Sequence, residues 1–551
     1  MNQRATDRRT FLLGSLGAAA AASPLLAGCT TAAAKPSANN SADTAVKLPS
    51  YVPYTGVTPD LPGNEQGLLN GFLRYPANPV KVFPSPPGKG DTVSAFVQTA
   101  LPVPPATGQN PYWQELNKRL GATLELTIVP TTDVAAKFAT LIAGGDLPDL
   151  IEPGTTLPNN VAAGITTLPQ WLAAQCQDLT SFLSGDKIKD YPFLANIPTA
   201  AWKAGVYNGG IYGVPVARGV AGTLMFRRDD LFKQAGVNPD PADYNEFVQV
   251  CKQMSDAKHN RWALTGGGDA LYFVQQMLGV PNNWRYESGK LTHAFEVPEM
   301  KEALSAAAKM VAAGYTNPDG FTSSPPVKQW FNSGTAVLHP DRYTAWPQYF
   351  QQNIAGPSFD IGGMRPPKYD GGGWAGTYQS APFNNFTAFK KASPDRVKYL
   401  LTICDWLAAP FGTEEYLFRK FGLAGRDYAM TAGSPAQTQT GVSETALSVR
   451  YIVDSPDTLF VPGDGAATTK DYDYQKSIIA TSVVDPTVGL FSETNTQKAP
   501  ILGTLISGAQ NDIMSGRKPV SSWDEVVTQW RSSGGDAIRG EFEKQLQQAH
   551  G

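Results

Sequence analysis

Between Asn110 and Ile151 the chain switches twice from a helical to a two-residue hydrophobic period, and this alternation restricts the fold more than any other feature. Asn110-Pro111 opens a helix: the asparagine caps it, and the proline lacks only an N–H that would go unbonded at that position. Gly121 closes that helix, and Leu124-Glu125-Leu126-Thr127-Ile128-Val129 then alternates as a strand. Asp133 caps a second helix in which Val134, Phe138, Leu141 and Ile142 recur at three- and four-residue spacing. Asp149-Leu150-Ile151 follows as a short strand. Strands and helices in strict alternation predict a sheet flanked by helices, the α/β class. A chain of 551 residues is too long for one such unit, so two or more domains, or one two-lobed body, are expected.

The first thirty residues speak for the compartment. Arg8-Arg9-Thr10-Phe11-Leu12 is a twin-arginine start, and the uncharged apolar stretch behind it ends at Ala27. That stretch is short and weakly hydrophobic for a bilayer span of about 20 residues. Leu26-Ala27-Gly28-Cys29 resembles a lipobox, whose cysteine becomes the acylated first residue. The expectation is a signal peptide over 1–28, lipid on Cys29, and a flexible Pro/Ala/Ser-rich tether over 29–90 whose later part wraps a surface. The protein is expected at the extracytoplasmic face of the cell membrane, held by lipid alone. With 45 basic against 48 acidic side chains, the basic excess of a nucleic-acid binder is missing. Cys176, Cys251 and Cys404 lie in apolar contexts and form no CxxC pair, so buried free thiols are expected.

Twin-arginine export carries folded chains, often with a cofactor bound, so an enzyme has to be weighed. The sequence holds no GxSxG, HExxH, CxxC or GxxxxGK[ST], and His259, His293, His339 and His550 are scattered. Asp471-Tyr472-Asp473 begins like a calcium loop but lacks its glycine and closing glutamate, and reads as a solvated turn. Gly371-Gly372-Gly373-Trp374-Ala375-Gly376 matches GxGxxG in letters only, since no strand precedes it and no helix follows. No cofactor and no metal are predicted. Paired carboxylates are harder to exclude, and Asp146, Glu152, Asp269 and Asp341 are the candidates for an exported hydrolase or lyase.

Four blocks, in order, resemble the family 1 extracellular solute-binding proteins, the receptors of carbohydrate ABC importers. They are Thr140-Leu141-Ile142-Ala143-Gly144-Gly145-Asp146-Leu147-Pro148-Asp149-Leu150, then Asn208–Pro215 with Leu224–Gly236, then Phe421–Tyr428, then Ile513–Glu525 with the helix to Gln548. The last two are similar to the oligosaccharide-binding branch. The twin-arginine signal and the long Pro-rich lead depart from the family pattern, and no calcium loop can be matched, so metal dependence is not carried over. The resemblance implies a two-lobed periplasmic-binding-protein fold of type II, closing on ligand in the cleft between the lobes. Lobe I would comprise 91–217 and 378–415, and lobe II 218–377 and 416–551. Chain crossings are expected near Pro215–Val220 and Thr377–Phe386.

A saccharide needs aromatic plates for its C–H faces and planar polar groups for its hydroxyls. Trp284, Tyr343, Trp346, Trp374 and Tyr378 are the expected plates, in or beside loops. Asp146, Arg218, Asp269, Asp341 and Arg342 are the expected polar contacts, with turn, cap and ion-pair roles as the competing readings. The expected partners are an oligosaccharide, ABC permease subunits and the membrane, with the protein a monomer. A carbohydrate-active enzyme and a lipoprotein scaffold stand as alternatives.

Overall fold

The computed structural model describes residues 46–99, 102–153, 168–322, 325–353 and 359–550. The signal peptide, Cys29 and the first part of the tether lie outside the described residues. No helix among the described residues is long and apolar enough to cross a membrane.

Among the described residues, nine strands build the two larger sheets. In chain order they are β1 (Thr92–Thr99), β2 (Thr123–Pro130), β3 (Leu150–Ile151), β4 (Gly213–Ala217), β5 (Thr223–Arg227), β6 (Trp262–Leu264), β7 (Ala336–Arg342), β8 (Gly362–Gly363) and β9 (Phe383–Phe389). The first sheet has the order β2-β1-β3-β9-β4, and the second β8-β5-β7-β6. In the first, β1, β2 and β3 run parallel while β9 runs antiparallel to both β3 and β4. In the second, β7 is parallel to β6 and antiparallel to β5.

The helices used below are α1 (Pro111–Leu120), α2 (Val134–Gly144), α3 (Gly267–Met277), α4 (Pro394–Leu407) and α5 (Glu493–Met514). Asn110 caps α1 by accepting from the Trp113 N–H, and Gly121 ends it at φ +62°. Ser393 caps α4 in the same way. The helix Tyr244–Met254 is capped by Asp243, and Ser522 is already helical, its hydroxyl donating back to the Pro519 carbonyl.

Each sheet has its own core. The first gathers Val93, Phe96, Leu150, Val214, Phe386 and Leu401, and extends to Phe418, Leu447, Val449 and Val453. The second gathers Met225, Leu264, Val274, Leu304 and Val337 with Ile506, Trp523 and Phe542. Cys176 and Cys404 lie in the first and Cys251 in the second, all free and buried. The fold is the two-lobed α/β architecture the sequence implies.

The lead from residue 46 is laid down as a strap. It bonds to the first lobe at Gly185 and Ala195, leaves it, and inserts Leu68 among Ala221, Tyr343, Trp346 and Leu459. Gly71 then pairs with Leu459, the Tyr75 hydroxyl donates to the Thr413 carbonyl, and the Val82 and Phe83 N–H groups donate to Glu415. Gly67 has φ +102°, and a Cβ there would sit 2.5 Å from Val220 Cγ2, so only glycine allows the strap so close to the chain between β4 and β5.

Candidate functional site

The chain passes between the sheets three times, and the strand directions decide what meets there. β4 ends at Ala217 and β5 starts at Thr223; residues 377–382 lead into β9; and 454–458 follow the 3-10 turn Val449–Tyr451. Thr223 pairs with Arg342, so the carboxyl ends of β7 and β6 face the first crossing. Phe383 pairs with Ala217, so the carboxyl ends of β1 and β3 face it from the other lobe. Both lobes thus present the strand ends at which α/β proteins bind ligands.

The crossings are tied together by hydrogen bonds. The Arg218 N–H donates to the Pro382 carbonyl at 2.9 Å, and the Ser380 N–H to the Val220 carbonyl at 3.0 Å. Tyr343 spans the rest: its hydroxyl accepts from the Gly219 N–H at 2.7 Å and donates to Asp457. Asp454 is 1 % exposed and contacts Arg419 and Lys420 at 2.8 Å each, with Arg218 at 3.7 Å. Burial alone would raise its pKa, but Lys420, Arg419 and Arg218 outweigh that and hold the carboxyl well below the usual range. Arg218, on the first crossing, is therefore paired with the carboxylates of the third.

On the first lobe, Glu152 follows β3 and is 3 % exposed. It accepts from the Gln98 side chain at 2.5 Å and the Gln98 N–H at 3.3 Å. Burial pushes its carboxyl up to about 7, against the lowering pull of Gln98, Asn385 and Arg218. Asn385, on β9, donates to the Tyr451 carbonyl at 2.9 Å. On the second lobe, Asp269 lies in the first turn of α3 and accepts from the N–H and hydroxyl of Thr265. Asp341 accepts from the Tyr349 hydroxyl at 2.8 Å and sits 3.0 Å from Lys328 Nζ. Arg342 is exposed beside it and makes no ion pair among the described residues. A hollow of about 330 Å³ opens at the second crossing, lined by Thr223, Tyr272, Asn282, Tyr378, Gln379 and Ser380.

Of the residues singled out in the sequence, Arg218, Tyr343, Asp269, Asp341, Arg342 and Tyr378 therefore lie at the crossings or on the strand ends facing them. The others do not. Trp346 is 0 % exposed, its indole N–H donating to the Ala467 carbonyl and its ring packed near Phe226 and Tyr474. Trp284 is buried against His293, Trp530 and Phe542. Neither offers a free face for stacking. Trp374 is 37 % exposed in its glycine loop, with the Arg365 guanidinium 4.7 Å over its ring. Asp146 is exposed on the turn before β3, at the far end of that sheet from the crossings. In the same block it is Asp149 that is structural, accepting from the N–H and hydroxyl of Ser94 and from Arg396. Asp471 is no solvated turn. It is buried in the helix Gly465–Ile479, where burial raises its carboxyl to about 8. Among the described residues no three His, Cys, Asp or Glu side chains gather as a metal site. Gln98, Asn385, Asp454 and Asp457 were not foreseen; their one local signal is that Gln98 stands near a strand's carboxyl end.

Two lobes joined by three bonded crossings, with polar strand ends facing one another, define a hinged binding protein. The chain belongs to the family described as bacterial extracellular solute-binding protein, which matches residues 112–417. It is 23% identical over 499 residues to lipoprotein LipO of Bacillus subtilis (strain 168), covering 84% of this chain and 93% of that one. It is 22% identical over 461 residues to the polygalacturonan/rhamnogalacturonan-binding protein YtcQ of the same organism, covering 79% and 88%. Among solved structures, the alginate-binding protein AlgQ2 without calcium ion superposes with a TM-score of 0.59 at 16% identity, covering 84% of this chain and 99% of that one.

Proposed function

We propose that this chain is a lipid-anchored receptor that captures an oligosaccharide between its lobes and delivers it to an ABC import permease. The observation that carries the reading is the convergence of Glu152 and Gln98 from one lobe with Asp269, Asp341 and Arg342 from the other on the bonded crossings at Arg218, Tyr343 and Asp457. Such groups match the hydroxyls of a sugar, and the crossings give the lobes an axis to close on. The polysaccharides named in the descriptions of YtcQ and AlgQ2 support the ligand class. We divide the lobes at the crossings, with 91–217 and 378–453 in lobe I and 218–377 and 454–551 in lobe II. Residues 416–453 thereby move from the lobe expected on sequence to the other, a change supported by Phe418, Leu447 and Val449 in the first core. We read the protein as a non-enzyme, because Asp269 and Asp341 are each engaged by side chains of their own lobe.

Incubation with a glycan panel tests the reading. A bound sugar at a hundred times its Kd should stabilise the native state by about 2.7 kcal/mol, raising Tm, and be recovered unchanged. Scattering should show a smaller radius of gyration at saturation than without ligand. Cleavage of the sugar would make the chain an enzyme, and an unchanged radius at proven saturation would remove the hinge.

The anchor is tested separately. Cys29→Ala should move the protein from the membrane fraction to the soluble one with its melting curve unchanged, since a single acyl chain binds only marginally and several are needed on one cysteine. Retention on membranes at wild-type levels would count against acylation there.

A further inference from the structure

α5 buries Ala499, Leu502, Ile506 and Ala509 in the core of the second lobe, and beside that face it carries Asn495, Gly503, Ser507 and Gln510. Between this flank and the edges of Trp284, His293, Phe295, Trp530 and Phe542 lies a hollow of about 320 Å³. Gly503 holds it open. Its backbone is ordinary helix and a Cβ on it would meet nothing within 4 Å, so neither φ nor packing demands glycine there. Glycine inside a helix is destabilising relative to alanine.

The polar groups of the hollow are open at both ends. The carboxamides of Asn495 and Gln510 make no hydrogen bond with any described residue, and fifteen residues of helix place them about 22 Å apart. The one carboxylate, Asp485, is already bonded by the N–H and hydroxyl of Thr487 and by the Asn283 amide. Burial holds the imidazole of His293 neutral, pushing its pKa down to about 3. The hollow thus offers an apolar aromatic floor, free amides and no cation, which suits an uncharged hydroxylated ligand and disfavours an anionic one. Asn283, Phe295 and Gln510 also line the hollow at the second crossing, so the two adjoin.

We propose that this hollow is a second saccharide subsite outside the cleft, taking neutral sugar units that trail or branch from an oligosaccharide held at the crossings. The proposal rests on the receptor reading above. It assigns α5 and Gly503 a part in selecting ligand length or branching, with Asn495 and Gln510 bonding the hydroxyls.

Gly503→Leu fills the hollow without touching the crossings, and Asn495→Ala, at a residue that lines this hollow and not the one at the second crossing, removes one amide without adding bulk. Both are titrated against neutral gluco-, xylo- and manno-oligosaccharides of two to eight units, linear and branched, beside wild type. In the series that wild type binds, both variants should weaken the long or branched members tenfold or more and leave the disaccharide Kd unchanged. Unliganded Tm should not fall, since leucine is the better helix former. If Gly503→Leu does melt lower, Asn495→Ala alone decides the matter. Equal losses for short and long sugars, or no loss for either, overturn the subsite while leaving the receptor reading intact. A wild-type protein that binds none of the series overturns the subsite, while the glycan panel above decides the receptor reading.

Discussion

Asp454→Asn should lower the melting temperature by about 10 °C, the largest effect expected of any near-isosteric change in this chain. The side chain keeps its volume but loses its charge, stranding the Arg419 guanidinium, whose side chain is itself almost wholly buried. Removing one partner of a buried ion pair costs about 3–5 kcal/mol, because the remaining charge stays desolvated. In domains of this size each kcal/mol moves Tm by about 2–4 °C. The pH dependence gives a second reading. The folded-state pKa of Asp454 is depressed, so its stabilisation is fully present above the unfolded value near 4 and is lost as pH falls through the folded one. Wild type and variant should therefore differ at pH 5 and above and converge below pH 4. A Tm within 2 °C of wild type at pH 7 would mean that the cluster adds nothing to the stability of the crossings.

Trp346→Ala should be comparably damaging, for a different reason. The ring fills space between Phe226 and Tyr474, and truncating a buried tryptophan costs about 3–5 kcal/mol in lost transfer energy and residual cavity. The surviving folded protein, assayed well below its melting point, should bind sugar with wild-type affinity, because no face of the ring reaches the cleft. Trp374→Ala provides the contrast: its ring is partly in solvent, so unliganded stability should change by less than about 1 kcal/mol. A Trp346→Ala protein that melts normally but binds sugar tenfold more weakly would reverse the assignment.

The two tryptophans also show where local sequence stops being informative. Asp341-Arg342-Tyr343-Thr344-Ala345-Trp346 reads as a polar loop because its apolar run ends at Leu338. In the fold β7 continues to Arg342, a 3-10 turn follows, and Trp346 begins a helix. The rings that bury it lie more than a hundred residues away in sequence, and no local period encodes them. Asp454 poses the same difficulty, since its partners at 218, 419 and 420 meet only once the crossings are in place. Helix starts fared better where the cap is a local bond, as at Asn110. Arg218 was legible for a related reason, because it stands beside a strand that ends in a crossing. The α/β alternation from Asn110 to Ile151 needed no long-range information and is reproduced in β2, β3, α1 and α2.

The strap over residues 46–90 bears on the order in which the molecule is made. From Pro62 onwards its docking sites are late in the chain: Tyr75 waits for Thr413, Gly71 for Leu459, and Pro62 for Tyr472, whose hydroxyl donates to its carbonyl across a separation of 410 residues. A chain emerging from the ribosome N-terminus first holds this stretch undocked until most of it has been synthesised. Contacts so distant in sequence carry the largest loop-closure cost and form slowly. This part of the strap therefore seats late, and seating it requires both lobes and the third crossing to be formed. A completed strap is a local mark that folding has finished, placed shortly after the leader that the sequence reads as a twin-arginine signal, for which a folded cargo is the requirement.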